Sequence, residues 1–204
     1  MSLQNRINAV GNSIRCLVKC LADRGFQFER PAEVFPGPET DVARAVDRIE
    51  REVGPLPLAL KLFWQEVGSV DLRGSHPAWD GCAYPDPLVV FPPAAALFEL
   101  DEFLADKEER LRCNFPYLVP IAPDDYHKAD VSGGMWYNVS VPAVADDPPL
   151  NDEWHQTTFV CYLELAVQWA GFPGLSRCPD HSRPFAELVC GIGGRNACSG
   201  SIHD

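Results

Sequence analysis

Apolar residues in the first third of the chain recur at the spacing of amphipathic helices. The first stripe predicts a helix over residues 5–23, and its members are Ile7, Val10, Ile14, Leu17, Val18 and Leu21. Two more helices are predicted, one ending at Val53 and one following Pro57, with Gly54-Pro55 as the break between them. Trp64 lies on the apolar face of the third helix, so we expect it in the core.

The pattern changes near residue 68 from helical to two-residue periodicity. Strand-length apolar runs follow at 70–72, 88–91, 118–121 and 135–141. A helix that begins after Pro92 interrupts them, and a closing helix follows Thr157 as a possible N-cap. Because strands and helices do not alternate regularly, a doubly wound parallel sheet is excluded. We predict one α+β domain over residues 1–204, with a mainly antiparallel sheet across 87–141 and helices packed before and after it.

The formal net charge of −12 is concentrated in the middle of the chain. Residues 76–160 hold four basic and fifteen acidic side chains, a net charge of −11, whereas the flanking segments are nearly neutral. A nucleic-acid-binding surface needs the opposite sign, so nucleic acid is excluded as a partner. Two interpretations of the acidic stretch stay open, namely a solubilising surface and a surface that attracts a basic partner.

Three polar, proline-rich loops lie between the predicted strands, at 74–86, 122–134 and 142–156. Loops on a rigid scaffold commonly carry binding residues. We expect the first two loops to lie side by side at one end of the sheet and to bind a partner. The predicted partner-binding residues are Trp79, Asp80, Tyr84, Asp86, Asp124, Asp125, Tyr126 and Asp130. Trp136 and Trp154 are further candidate anchors, with packing beneath their loops as the alternative.

Three segments, taken in order, resemble the SUKH superfamily. Leu56-Pro57 followed by Phe63-Trp64-Gln65-Glu66-Val67-Gly68 resembles its opening. Val119-Pro120-Ile121-Ala122-Pro123-Asp124-Asp125 is similar to its strand and acidic turn, and 159–173 to its closing helix. The resemblance covers residues 40–173. The helix at 5–23 and the Cys- and Gly-rich tail at 174–204 are additions to it.

The resemblance implies an α+β protein that binds a partner and is not an enzyme. The superfamily includes bacterial immunity proteins that neutralise toxins and a fungal regulator of cell-wall synthesis. The resemblance therefore implies a protein partner, and a basic toxin in the immunity version. The loop at 75–82 is longer than the family's usual loop, and the segment 127–130 is an insertion. These two departures leave the identity of the partner open.

An enzyme of unknown class is the alternative. Asp124-Asp125-Tyr126-His127 places carboxylates beside an imidazole, and an enzyme would use His127 or His155 with a carboxylate that converges on it in a pocket. A general base needs such a pair, but Asp also favours turns for its own backbone hydrogen bonds. The sequence contains no glycine-flanked serine elbow, phosphate loop or His-Glu-x-x-His motif.

The eight cysteines predict neither a disulfide framework nor a cofactor. The chain begins without the apolar run of a secretory signal and has no run of 18 apolar residues, so we expect a cytoplasmic protein with reduced thiols and no membrane span. Cys16 and Cys20 are expected to pack on one side of the first helix. The tail set Cys178, His181, Cys190 and Cys198 has the ligand types of a zinc site but not its spacing, so we expect no metal.

Overall fold

A computed structural model of the chain describes residues 1–77, 85–106, 108 and 115–177. Within these ranges the chain forms five α-helices, with bounds α1 Leu3–Asp23, α2 Val42–Val53, α3 Leu58–Glu66, α4 Pro93–Ala105 and α5 Phe159–Gln168. The hydroxyl of Ser2 caps α1 by accepting the N–H of Asn5. Thr158, and not the predicted Thr157, caps α5 by accepting the N–H of Cys161. The apolar stripes thus predicted the helices to within a few residues.

The strands are short and antiparallel. Their bounds are β1 Gln27–Phe28, β2 Val70–Asp71, β3 Gly74–Ser75, β4 Val89–Val90, β5 Tyr117–Ala122 and β6 Tyr137–Val141. Among the described residues β1 pairs with β3, β2 with β4, and β5 with β6. The predicted α+β class is confirmed, but the sheet expected across 87–141 is divided into small ladders. A hydrogen bond from the N–H of Phe91 to the carbonyl of Ile121, 2.8 Å long, joins the end of β4 to β5.

One hydrophobic core holds these elements together. Helix α1 packs against α3 and α5, α2 packs against α3 and α4, and α4 packs against β5. Trp64 is fully buried, as predicted, and its indole N–H donates to the carbonyl of Phe91 at 2.9 Å. This bond satisfies the polar atom of a buried tryptophan, so Trp64 joins the helical layer to β4. No helix of the described residues is long and apolar enough to cross a membrane.

The β5–β6 hairpin positions the loops of the candidate functional site. Its register pairs Tyr117 with Val141 and Val119 with Val139, and an irregularity follows Pro120. The strand β6 begins at Tyr137, so Met135 precedes it and is 56% exposed. The strand predicted over 135–141 therefore starts two residues later than expected, and Met135 lies outside it. The chain between β5 and β6 forms a loop at one end of the hairpin, as predicted.

Candidate functional site

The two loops expected to lie together are joined by a buried ion pair. Lys128, in a short 3-10 helix at His127–Ala129, places its Nζ 2.6 Å from Oδ1 of Asp86. Both side chains are fully excluded from solvent. Parts of both loops also line an open cleft of about 540 Å³, with Ser75 and Pro85 from the first loop and Asp130 from the second.

Two tyrosines complete this buried cluster. Lys128 Nζ lies 3.2 Å from the hydroxyl of Tyr162 and 4.6 Å from the ring centroid of Tyr137. The hydroxyl of Tyr137 donates to Oδ2 of Asp86 at 3.4 Å. Burial first, and then the charge of Asp86, raise the pKa of both tyrosines above the usual range, so both hydroxyls stay protonated at neutral pH. The ammonium therefore has a carboxylate, a hydroxyl and a ring face as partners, as a buried charge requires.

Burial changes the interpretation of two predicted partner-binding residues. Asp86 is 0% exposed and Asp124 is 4% exposed, so neither carboxylate belongs to an exposed acidic rim. Asp86 is held by Lys128. Oδ1 of Asp124 accepts the backbone N–H of His127 at 2.8 Å and lies 2.5 Å from Nδ1 of its ring. Both aspartates therefore organise the loop from inside, and their predicted surface role is corrected.

The second oxygen of Asp124 faces the end of the same loop. Oδ2 is buried and makes no hydrogen bond among the described residues. It lies against Gly134, where an added Cβ would overlap it. Gly134 also has a φ of +87°, a conformation that side-chain-bearing residues rarely adopt. Glycine is required here both by the backbone conformation and by the close approach of Asp124.

The remaining predicted residues differ in exposure. Asp125 is largely covered and accepts two hydrogen bonds of 3.1 Å from Arg177. The guanidinium carbon of Arg177 lies 4.6 Å from the ring centroid of Trp154, which is 63% exposed. Tyr126 and Asp130 are exposed beside the cleft. Trp79, Asp80 and Tyr84 lie outside the described residues, so Asp130 is the one predicted carboxylate that is exposed within the described part of the chain.

A second histidine forms a longer chain of hydrogen bonds. Nδ1 of His155 lies 2.6 Å from Oε1 of Glu153, and Nε2 lies 2.8 Å from Oγ of Ser176. Ser176 belongs to a 3-10 helix at Pro173–Arg177, so the chain joins two separate loops. His127 has a carboxylate partner as well, but the structure shows a serine hydroxyl at His155. Of the two histidines considered for an enzyme, His155 has the fuller set of partners.

Glu153 is the buried anchor of this chain. Its side chain is fully excluded from solvent, and its oxygens accept from the N–H of His155 and from the N–H and hydroxyl of Thr157. Burial alone would raise the pKa of Glu153, but the hydrogen bonds from His155 and Thr157 outweigh it and hold the pKa below its usual value. The carboxylate is therefore ionised at neutral pH and acts only as an acceptor.

An apolar groove lies beside the β5–β6 hairpin. It has a volume of about 250 Å³ and is lined mainly by residues of β5, the start of β6 and the chain just before each of them. Phe115, Met135 and Trp136 on its rim are 62%, 56% and 44% exposed, and Glu99 of α4 also lines it. Trp136 and Trp154 were candidate anchors, and neither is buried beneath its loop. Exposed apolar side chains that cluster around a groove indicate an interaction surface.

Cysteines and metal ligands add little to this picture. Cys16 and Cys161 are exposed and Cys20 is half-buried, so the expected packing role does not hold for Cys16. All three carry free thiols. Across the described ranges no group of three or more His, Cys, Asp or Glu side chains is placed to hold a metal ion. The tail set Cys178, His181, Cys190 and Cys198 lies outside those ranges, and its lack of metal stays a prediction.

These features define an α+β protein with a buried Lys128–Asp86 pair, an exposed apolar groove and a Glu153–His155–Ser176 chain. Comparison with protein-family models, with curated proteins and with solved structures finds no match for it.

Sequence reasoning missed Ser176 and Phe115. Ser176 lies 21 residues after His155 and in no local motif, so only the fold brings them together. Phe115 is an apolar residue just before a strand, a place where both burial and exposure are common.

Proposed function

We propose that this chain is a protein-binding domain whose partner docks on the apolar groove beside the β5–β6 hairpin. The observation that carries the proposal is the exposure of Phe115, Met135 and Trp136 around one groove. Large exposed aromatic and Met side chains are enriched in protein interfaces, whereas a monomer rarely leaves such a cluster in water. Trp136 supplies the large rigid side chain that an interface anchor needs.

The occupant is a protein segment with apolar side chains flanked by Lys or Arg. Residues 76–160 carry a net charge of −11, and Glu99 lines the groove itself. A basic segment would be attracted by this field and would reach the groove faster. The groove also follows directly on Gly134, the end of the loop that carries Tyr126 and Asp130. This loop is a second contact for the same partner in our proposal.

The resemblance to the SUKH superfamily suggests which partner this is. The segments that carry this resemblance are the Leu56-Pro57 pair before α3, the acidic turn after β5 and the closing helix α5. By this resemblance the protein is a cytoplasmic immunity or adaptor protein, and in the immunity version the partner is a basic toxin. A protein that neutralises a toxin needs no catalytic group of its own, since it acts by covering a surface.

The test is capture of a partner from the native host by wild type and by matched variants. Met135→Ser with Trp136→Ser removes two of the groove's three exposed apolar side chains, and Phe98→Ser is the control. Phe98 is 65% exposed on α4 and is not among the groove residues. The proposal expects one basic protein that binds wild type and the Phe98 variant and is lost by the groove variant. Equal capture by all three would place the interface elsewhere.

A second arm tests the loop. Tyr126→Ala with Asp130→Lys should slow association with the captured partner, and added salt should reduce the difference from wild type, because exposed charges are screened beyond about 8 Å at physiological ionic strength. The groove variant should instead speed dissociation, since it removes buried contact area. For the immunity version, co-expression with the captured protein must rescue growth with wild type and fail with the groove variant.

An enzyme using a histidine is the second candidate. It is favoured by the bond between Nε2 of His155 and the hydroxyl of Ser176, whereas among the described residues no hydroxyl is bonded to the ring of His127. A carboxylate on one ring nitrogen and a hydroxyl on the other are the contacts that general-base activation of a nucleophile needs.

A further inference from the structure

A chain of hydrogen bonds from Glu153 through His155 to Ser176 lies outside the groove and loop residues proposed to bind a partner. Its two links measure 2.6 Å and 2.8 Å, within the range for activation of a nucleophile by a base. The same order of carboxylate, imidazole and hydroxyl activates serine in hydrolases of unrelated folds. We propose that Ser176 is a nucleophile that His155 activates toward carboxylic esters, and that Glu153 is the residue that positions His155. This proposal rests on the second candidate function above, to which it adds the nucleophile and the substrate class, and it departs from the expectation of a protein without catalysis.

The positions of the protons in these hydrogen bonds follow from which groups are able to donate. Glu153 is an ionised carboxylate surrounded by donors, so Nδ1 of His155 must carry a proton and donate it. In the neutral imidazole Nε2 is then the acceptor, and the hydroxyl of Ser176 donates to it. This is the tautomer in which His155 is able to remove the serine proton.

Ser176 is held in place by the residues around it. The N–H of Gly174 donates to the carbonyl of Pro85 at 3.0 Å, and the side chain of Leu175 is 1% exposed in the core. On the other side of Ser176, Arg177 is fixed by its two bonds to Asp125. Two anchors before Ser176 and one after it therefore hold a serine that is itself half-buried. Such anchoring reduces the cost of orienting a nucleophile before it reacts.

The surroundings of Ser176 favour a neutral, apolar ester. Trp154, next to His155 in the chain, leaves 63% of its surface in water. The guanidinium of Arg177 stacks on that ring, and its charge is already compensated by Asp125. A strongly anionic substrate would therefore find no uncommitted charge on Arg177, whereas an aryl or alkyl group would find the indole ring. The substrate class is accordingly an ester with an apolar acyl or aryl group.

The reaction proceeds in two balanced halves. Oγ of Ser176 forms a bond to the acyl carbon as its proton passes to Nε2 of His155. The bond from the acyl carbon to the leaving oxygen then breaks, and that oxygen takes the proton from His155. Water attacks the resulting acyl-serine, gives one proton to His155, and releases the carboxylic acid as Ser176 regains its proton. No oxidant, metal or further reactant is needed.

The test uses the full chain and a fluorophosphonate probe, which forms a bond from serine oxygen to phosphorus and releases fluoride. The expected result is one adduct per chain, located by peptide mass spectrometry on the peptide that contains Ser176. Ser176→Ala should abolish it, and Ser13→Ala is the matched control, because the Ser13 hydroxyl donates to the Ala9 carbonyl in α1. Hydrolysis of p-nitrophenyl acetate should follow the same pattern. Wild type that forms no adduct at Ser176 overturns the proposal.

Variants of the partners separate activation from simple exposure. His155→Ala should slow labelling about 100-fold or more, the usual contribution of a positioned base. Glu153→Gln should slow labelling and also remove the strongly deshielded Nδ1 proton of His155 from the NMR spectrum. Thermal unfolding of each variant identifies any that fail to fold. A folded His155 or Glu153 variant that is labelled at the wild-type rate would show that Ser176 is not activated by this chain, and the proposal would fail.

Discussion

Nζ of Lys128 lies 2.6 Å from Oδ1 of Asp86, and neither side chain has any contact with solvent. Lys128 comes from the loop after β5, and Asp86 from the segment before β4. The pair therefore joins two loops that are 42 residues apart in the chain. Separating the two loops would leave both charges buried and unpaired, which costs several kcal/mol of free energy. We therefore expect the two loops to move together.

Replacing Lys128 by Met should destabilise the protein by about 3–5 kcal/mol, since it leaves Asp86 buried and unpaired. The double variant Lys128→Met with Asp86→Leu should recover a large part of that loss, because it removes both charges. Urea unfolding, followed by far-UV circular dichroism, measures these free energies. Lys61→Met is the control, since the Lys61–Glu50 pair is about a quarter exposed and should contribute about 1 kcal/mol or less. A double variant as unstable as the single one would contradict this account.

The stability contributed by Glu153 should depend on pH. Hydrogen bonds from His155 and Thr157 lower the pKa of this carboxyl in the folded state below its unfolded value of about 4.3. A group with a depressed folded pKa stabilises the native state above the unfolded pKa, and loses that contribution as the pH falls through the folded pKa. The stability gap between wild type and Glu153→Gln should therefore be wide near about pH 6 and narrow near about pH 3. Urea unfolding at both pH values measures it, and a constant gap would mean that Glu153 has no perturbed pKa.

Gly134→Ala should destabilise the protein more than Gly133→Ala. Both glycines have positive φ, at +87° and +124°, so both variants pay backbone strain of about 1–3 kcal/mol. An added Cβ at Gly134 would also overlap Oδ2 of Asp124, whereas nothing lies within 4 Å of a Cβ at Gly133. The excess cost at Gly134 isolates this overlap, and overpacking of this kind costs about 1–3 kcal/mol. Thermal unfolding of the two variants compares them, and equal losses would show that Asp124 moves aside without cost.

The sequence predicted the burial and the secondary structure of residues that belong to a local periodic pattern. Trp64 lies on a stripe of helical period, and the period alone places it in the core, where it is fully buried. The strand β5 likewise follows from the apolar positions Leu118, Val119 and Ile121. In both cases the information lies within a few neighbouring residues, because burial of one face is what forms the element.

The sequence did not predict which charges would be buried. Asp86 and Asp124 were placed on the surface because carboxylates usually are, yet each has partners that cover it. The partner of Asp86 lies 42 residues away, and the hydroxyl bonded to His155 lies 21 residues away. Pairing at such separations depends on the packed fold, and no rule of sequence spacing predicts it. The ladders are likewise shorter than expected, since strand length depends on which neighbours are available to pair.

The Arg177–Asp125 and Arg48–Asp101 ion pairs differ in exposure, so they should differ in coupling energy. Arg177 and Asp125 are 18% and 15% exposed in their side chains, whereas Arg48 and Asp101 are 44% and 57% exposed. Water and salt screen the second pair far more, so its coupling energy in a double-mutant cycle should be about 0.2–0.5 kcal/mol. The Arg177–Asp125 pair should give about 1 kcal/mol or more, because Asp125 accepts two guanidinium N–H bonds away from solvent. Alanine variants of all four residues, measured singly and in pairs by urea unfolding, give both energies.

Raising the salt concentration to about 1 M, where the screening length falls to about 3 Å, should remove most of the Arg48–Asp101 coupling and leave most of the Arg177–Asp125 coupling. Equal coupling energies, or equal losses in salt, would show that Arg177 is held loosely over Trp154 and does not fix the helix that carries Ser176.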